Sequence, residues 1–542
     1  MSPIWGSPRN DEAERAEEAP RDEREGSQRG PKTRDNRDQE REPDERTRLL
    51  PQGGAYLSPD DPAVSPYNLW GVRALRSLTI LFLLITLVWW VLLLVSIFVS
   101  PPMMNSRGSG FTDFSYTTLT LSNLLIALIF FSVPSLPMTI WGASMSVFLA
   151  VNLFIILGVP RLRVEEGWIG IASVAWATLI SLYLVAQTRS VAWGKREEEE
   201  RLTGREETRR PLREWVAVLV QTIIMAITVL IAILLMATLI LRARDASLPP
   251  PGKKYYVDND KYQVHLACVG ETHSDRSSSR NRTTPTVLVE GGGDPVEYSF
   301  LKWVDAAYDH GSISRYCYWD RPGIAWSENS PSPHSAGMSA DALSEALALA
   351  DEEGPWVLVS TGVGGIYSRI FASRHTRDID GIMLVEAMHE DFLGELGKPG
   401  RGFKLWLRGI LSPLGLDRLA GAIFKGRTRE DRICGSRSYQ GGKFIKAKLQ
   451  ESLVAQSMTK SEISSARNIQ SPSTPLVVVS SGREMRRSRE WEEKQEDLTK
   501  ITRKLIAWDI VKRAPHEVWE TVEGQKTLEK RLKELVRGED ED

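Results

Sequence analysis

The chain has 542 residues, too many for one compact core, and its formal net charge of -2 averages over strongly segregated blocks. The near balance of 68 Lys and Arg against 70 Asp and Glu argues against a nucleic-acid partner. Three cysteines, Cys268, Cys317 and Cys434, exclude a disulfide framework but leave room for one pair in an oxidising lumen. Seven histidines without ligand spacing point to no metal site, and no cofactor is expected.

Residues 1–61 are rich in Arg, Glu, Asp, Pro and Gly and nearly free of aliphatic side chains, so they bury too little apolar surface to offset the entropy of ordering. A disordered charged tail is predicted. Its acids argue against a transit peptide, and it has no early apolar run of the kind a secretory signal needs. Within it, Glu45-Arg46-Thr47-Arg48-Leu49-Leu50 resembles an acidic dileucine signal, which makes a sorting adaptor reading Leu49 and Leu50 a candidate partner.

Five apolar runs follow, at 78–100, 114–131, 138–159, 168–187 and 215–241, each near the roughly 20 residues a helix needs to cross a bilayer. Their interiors carry no charge. A five-span transmembrane region over 76–244 is therefore expected, with lipids as partners. The second run is the weakest, being rich in Thr and Ser, and Pro134 to Pro137 reads as a hairpin between two helices. Lys and Arg collect in the segment 188–214 and at Arg73 and Arg76, which should face the cytosol. The segments around Arg107 and at 161–166 are poorer in basic residues, and alternation is not expected to place both beyond the membrane. An odd span count puts everything after Leu241 outside the cytosol, in agreement with a glycosylation acceptor at Asn281-Arg282-Thr283.

After a linker at 249–252, the texture changes from Tyr255 onward to short apolar strands alternating with amphipathic helices, the pattern of a mostly parallel sheet covered on both faces. Strands are predicted at 263–268, 286–290, 314–319, 356–360, 381–386, 475–480 and 504–510, and helices at 340–350, 365–374 and 527–536. Residues 255–542 are enough for a substantial core.

Ser360-Thr361-Gly362-Val363-Gly364 has the spacing of the G-x-S-x-G turn that lifts a serine nucleophile out of a strand, with glycine in the serine's place. His265 to Gly270, Val287 to Gly293, Asp320-Arg321-Pro322-Gly323-Ile324-Ala325-Trp326-Ser327, Leu384 to His389 and His516 follow in the matching order. Together these stretches resemble the α/β-hydrolase superfamily, although Ala325 replaces a glycine of its pattern. The coupling to N-terminal spans resembles a group of fungal multi-pass proteins. The resemblance implies an α/β-hydrolase fold with a lid at about 391–473, preceded by an all-α transmembrane bundle.

It also implies roles: His516 as base, Glu386 as acid with Asp509 and Glu484 as alternatives, and an oxyanion hole from Gly291, Gly292, Gly293 and the amide of Val363. Gly362 has no side chain to attack with. Ser360 and Thr361 precede the bend and should point elsewhere. The expected role is thus a degenerate hydrolase that binds a lipid, peptide or protein partner. An active or water-mediated hydrolase is the competing class, and a transporter ranks last for want of ionisable groups in the spans. In the lid, 403–411 and 414–424 are apolar with interspersed Arg and Lys. Such helices cover an apolar pocket or lie on a membrane surface, and burial on their own domain is the preferred expectation. The endomembrane system or vacuole is the expected location, with a mitochondrial membrane as the alternative.

Overall fold

A computed structural model describes residues 66–104, 106–204, 212–271 and 284–538. The charged tail with Leu49 and Leu50, and the acceptor Asn281, lie outside the described residues.

Each apolar run folds as a helix: α1 (Trp70–Phe98), α2 (Phe111–Ile129), α3 (Leu136–Gly158), α4 (Pro160–Thr203) and α5 (Leu212–Ala246). Among the described residues four of them, α1, α3, α4 and α5, are long and apolar enough to cross a membrane. The expectation of five such spans is corrected at α2, whose polarity comes from Thr and Ser. These hydroxyls are satisfied within the helix: Thr117, Thr118 and Thr120 donate to the carbonyls of Asp113, Phe114 and Tyr116 at 3.0, 2.7 and 2.8 Å. With twelve of its nineteen residues buried, α2 is the inner helix of the bundle rather than a lipid-facing one. It still runs from end to end. Phe111 packs with Ile97, Ile445 and Leu449, whereas Phe131, just past the helix, packs with Val72 and Val191.

The near end of the bundle, against the second domain, thus holds the segments around Arg107 and at 161–166 together. Arg107 O accepts from Asn329 N, Gly108 N donates to Glu165 O at 2.7 Å, and Arg161 donates to the carbonyls of Ala246 and Leu248. The expectation that alternation separates these two segments is overturned, because two helices intervene between them. The basic C-terminal stretch of α4 lies at the far end, where Lys195 and Glu214 pair at 3.0 Å. Ser135 accepts from Met138 N and so caps α3 at the expected hairpin. α4 breaks at Gly167, whose φ of +61° and ψ of -163° no helix contains. The helices outrun the apolar runs, so Asp113 and Glu166, both 1% exposed and each just outside a run, sit inside the bundle's near end.

The second domain opens with β1 (Lys253–Val257), a strand absent from the predicted set, paired with β2 (Tyr262–Gly270) as a hairpin. It continues through β3 (Thr286–Glu290), α6 (Leu301–Asp309), β4 (Arg315–Asp320), α7 (Ala336–Leu349), β5 (Trp356–Gly362), α8 (Gly364–Arg374) and β6 (Ile379–Ala387). The lid follows as α9 (Leu393–Leu396), α10 (Pro399–Leu411), α11 (Leu416–Phe424), α12 (Arg429–Ile433), α13 (Gly442–Val454) and α14 (Lys460–Ile469). The fold closes with β7 (Leu476–Ser481), α15 (Gly482–Arg487), α16 (Arg489–Leu498), β8 (Leu505–Val511) and α17 (Val522–Arg537).

The strand order is β1-β2-β4-β3-β5-β6-β7-β8, with β2 antiparallel to both neighbours and every later pair parallel. This is the α/β-hydrolase fold. Strand periodicity divides the core: Leu288 and Leu358 pack with α7 and α8 on one face, while Val287, Val289, Val357 and Val359 pack with α6 and α17 on the other. Cys268 and Cys317, opposite one another on β2 and β4, form a disulfide.

Candidate functional site: a hydrolase elbow without its nucleophile

β5 ends at Gly362, whose φ of +53° turns the chain from strand into α8. Small residues are needed on both sides of that turn. A Cβ at Gly364 would stand 2.2 Å from Gly291 O, and one at Gly365 would stand 2.6 Å from the Ala387 Cβ, so α8 can start between β3 and β6 only without them. At Gly362 itself the space is open. Its absent Cβ would point at the loop after β3, 3.4 Å from Gly292 Cα and 3.9 Å from Gly293 N. A side chain there would fit and would cost only the strain of a positive φ, about 1 kcal/mol. Ser360 and Thr361 do not replace it. Ser360 is fully buried and accepts from Ser368 Oγ at 2.8 Å, and Thr361 is 4% exposed on the strand before the bend.

Glu386 and His516 come together from strand ends 130 residues apart, with Oε2 2.9 Å from Nδ1. Glu386 is fully buried at a φ of +48°, and its other oxygen accepts from Ser481 N at the end of β7. Ser481 Oγ donates to Ala514 O, which ties down the loop that presents His516. The imidazole is pushed above its ordinary pKa by the Glu386 hydrogen bond, against the effect of burial and with the Glu386 charge adding. Its side chain is 44% exposed, with Trp491 edge-on at 6.1 Å. The elbow and the acid adjoin: Gly362 is in register with Ala387, and Met388 N donates to Gly362 O at 2.8 Å. The alternative acids are engaged elsewhere, Asp509 with Arg531 and Glu484 on α15 near Arg487.

One residue of this site had no role in the sequence reading. Arg321, 4% exposed, donates to the carbonyls of both Gly291 and Gly292, pairs with Glu290 at 3.0 Å and stacks over the Tyr367 ring at 4.5 Å. It thereby holds the backbone of the loop after β3. Glu290 also accepts from the Trp319 indole; burial raises its pKa to about 7, with Arg321 opposing. The available signal was the arginine itself, in the stretch Asp320-Arg321-Pro322-Gly323 that follows a strand.

The lid departs from the expectation of self-burial. Phe403, Leu407 and Leu411 of α10 and Leu416, Ile423 and Phe424 of α11 are exposed, Phe424 by 82%. Both helices dock on the near end of the bundle, where Gly409 abuts Phe111, Gly415 abuts Thr238 and Arg418 pairs with Asp245 at 2.9 Å. Exposed apolar residues also mark α1 and α5, among them Leu84, Val88, Leu219 and Ile223.

The molecule is therefore an α/β-hydrolase-fold protein with membrane-type helices at its N-terminus. It belongs to the same family as an uncharacterized protein of Schizosaccharomyces pombe, with which it shares 35% identity over 531 residues, 91% of this chain and 97% of the relative. An uncharacterized vacuolar membrane protein of Saccharomyces cerevisiae is 29% identical over 325 residues, 52% of this chain and 50% of its own length. A family model described as a region of unknown function, DUF2417, matches residues 45–268. Among solved structures, an α/β-hydrolase enzyme from a Medee basin deep-sea metagenome library aligns with 54% of this chain and 99% of its own, at 11% identity and a TM-score of 0.39. The enol-lactonase from Burkholderia xenovorans aligns with 53% of this chain and 100% of its own, at 13% identity and a TM-score of 0.37.

Proposed function

We propose that this protein is a membrane-anchored, degenerate hydrolase that uses the retained cleft to bind a lipid, peptide or protein partner. The observation that carries this reading is Gly362: the elbow keeps its backbone turn and its open space but has no reactive side chain. The competing reading, a water held over Gly362 and activated by His516, draws on the same open space and on the intact Glu386–His516 pair. The exposed apolar faces of α10 and α11 favour an apolar ligand reached from the bilayer.

The hydrolase-like domain is assigned to the side away from the cytosol. Two observations support this: the Cys268–Cys317 disulfide, which suits an oxidising compartment, and the basic C-terminal stretch of α4 at the opposite end of the bundle. The vacuolar membrane is the proposed location, by analogy with the budding-yeast relative.

The test is labelling of the detergent-solubilised full chain with a fluorophosphonate probe, together with ester turnover. The expected pattern is silence in the native chain, labelling in Gly362→Ser, and loss of that labelling in Gly362→Ser with His516→Ala. Labelling or His516-dependent turnover by the native chain would sink the degenerate reading.

A further inference from the structure

We infer that the seam between the bundle and the hydrolase-like domain is a binding site for a phosphoryl anion. A cavity of about 120 Å³ lies there, enclosed by α4 and α5, β1, the segment around Trp326 and the lid. It is remote from the elbow, and none of the site residues described above lines it. Six cationic side chains do: Arg161, Arg242, Lys254, Arg418, Arg432 and Lys443. The carboxylates that act on them are Glu165, Asp245, Glu166 behind the wall and Glu328 beside Lys254. The six cations outnumber these carboxylates.

The pairing pattern shows where the excess resides. Arg242 is matched by Glu165 at 3.0 Å and by Glu166 at 2.5 Å. Arg418 and Arg432 share one carboxylate, Asp245, and Lys443 reaches Glu165 only at 3.6 Å. Arg161 spends its guanidinium on two backbone carbonyls at the end of α5. The Lys254 ammonium makes no hydrogen bond or ion pair with any described side chain. Burial, then the charges of Lys443 and Arg161, lower its pKa to about 8, with Glu165 and Glu328 opposing. Arg418 is lowered by burial and, beyond the opposing Asp245, by Arg242 and Arg432. Cations that repel one another across a cavity are stabilised by an anion between them.

A phosphoryl group fits this chemistry. Its several oxygens accept from guanidinium forks and ammonium groups at once, and its charge suits a cationic excess better than a single carboxylate would. The walls add an apolar component, Leu235 and Leu239 on α5 and Phe444 on α13, at the depth where helix ends meet lipid headgroups. Both a lipid headgroup and free phosphate present this group.

The deciding experiment is thermal unfolding of the full chain in neutral detergent, titrated separately with inorganic phosphate and with dihexanoyl phosphatidic acid. The native chain is compared with Lys254→Gln, Lys443→Gln and the surface control Lys530→Gln. A saturable rise in melting temperature is expected, with half-saturation about tenfold higher in Lys254→Gln and unchanged in Lys530→Gln. Without ligand, Lys254→Gln should melt no lower than the native chain, since it removes a repelled charge; a purely structural lysine would lower it. If Lys254→Gln fails to fold, Lys443→Gln is read by the same half-saturation criterion. A response to both ligands assigns the site to the phosphoryl group itself, and a response to the lipid alone assigns it to a headgroup. No saturable response to either, or an equal shift in Lys530→Gln, overturns the site.

Discussion

The cleft at Gly362 and the seam at Lys254 are opposites in one molecule. At the cleft, the positive φ, the glycine contacts and the Glu386–His516 pair all surround a position with no side chain. The seam gathers six cationic side chains around one cavity. On the proposed reading the first suits recognition, whereas unbalanced charge in a confined space is costly unless something arrives to balance it. The difference teaches that the chemistry of this protein is to be sought where its electrostatics are unresolved, rather than where its backbone resembles an enzyme's.

Substitutions can break this comparison at either end. The largest effects should come from orphaning buried ions, in the cleft by Arg321→Ala and in the seam by Asp245→Asn. The first leaves Glu290 with two glycine carbonyls unsupplied, and the second leaves Arg418 and Arg432 without their carboxylate. Each should cost about 3–5 kcal/mol in denaturant unfolding of the solubilised chain. Loss below 1 kcal/mol in either would mean that water already serves those groups. Next is Cys268→Ser with Cys317→Ser, which opens a 49-residue separation and should cost about 2–4 kcal/mol. A native chain whose two thiols react with maleimide before reduction would contradict the disulfide.

A smaller effect is a pH signature at the cleft. The folded-state pKa of His516 is raised, so its contribution is present in full below the unfolded value near 6.5 and is lost as pH rises through the folded value. His516→Ala should therefore destabilise at pH 5 and be close to neutral at pH 9. Because the side chain is 44% exposed, the difference should stay under about 1 kcal/mol. Glu386→Gln should flatten the same profile, and an imidazole titrating near 6.5 in the intact chain by NMR would remove the basis for it.

Much of the architecture is legible in the sequence because it rests on local periodicity. The strand predicted at 286–290 coincides with β3, and the others end within two residues of the observed ones, since alternating or continuous apolar runs report burial directly. β1 is absent from the predicted strands: it opens directly after the linker with Lys253 and Lys254, charged residues that break an apolar run, and the edge hairpin pairs them with Leu266 and His265. The positions of Gly362, Glu386 and His516 were readable as a motif. The role of Arg321 was not, because its partners are glycine carbonyls about 30 residues back in the chain. The seam was equally invisible: Arg242 meets Glu165 across 77 residues, and both stood just outside the apolar runs that drew attention. Exposure of α10 and α11 depended on where the bundle leaves room for them, which no local pattern records.

The edge hairpin also bears on how the protein can be divided. The DUF2417 match ends at 268, inside β2, so the similarity that begins before the bundle extends into the sheet itself. β2 covers one side of β4, the disulfide fastens that edge, and His265 of β2 contacts both Asp320 and the carbonyl of Pro251 in the linker. A cut made at the linker would spare the sheet, but a cut at the end of the family match would strip β4 of its neighbour and present a bare, apolar strand edge to every other copy in the tube. The natural seam for dissecting this molecule thus falls several residues before the place where sequence comparison alone would put the blade.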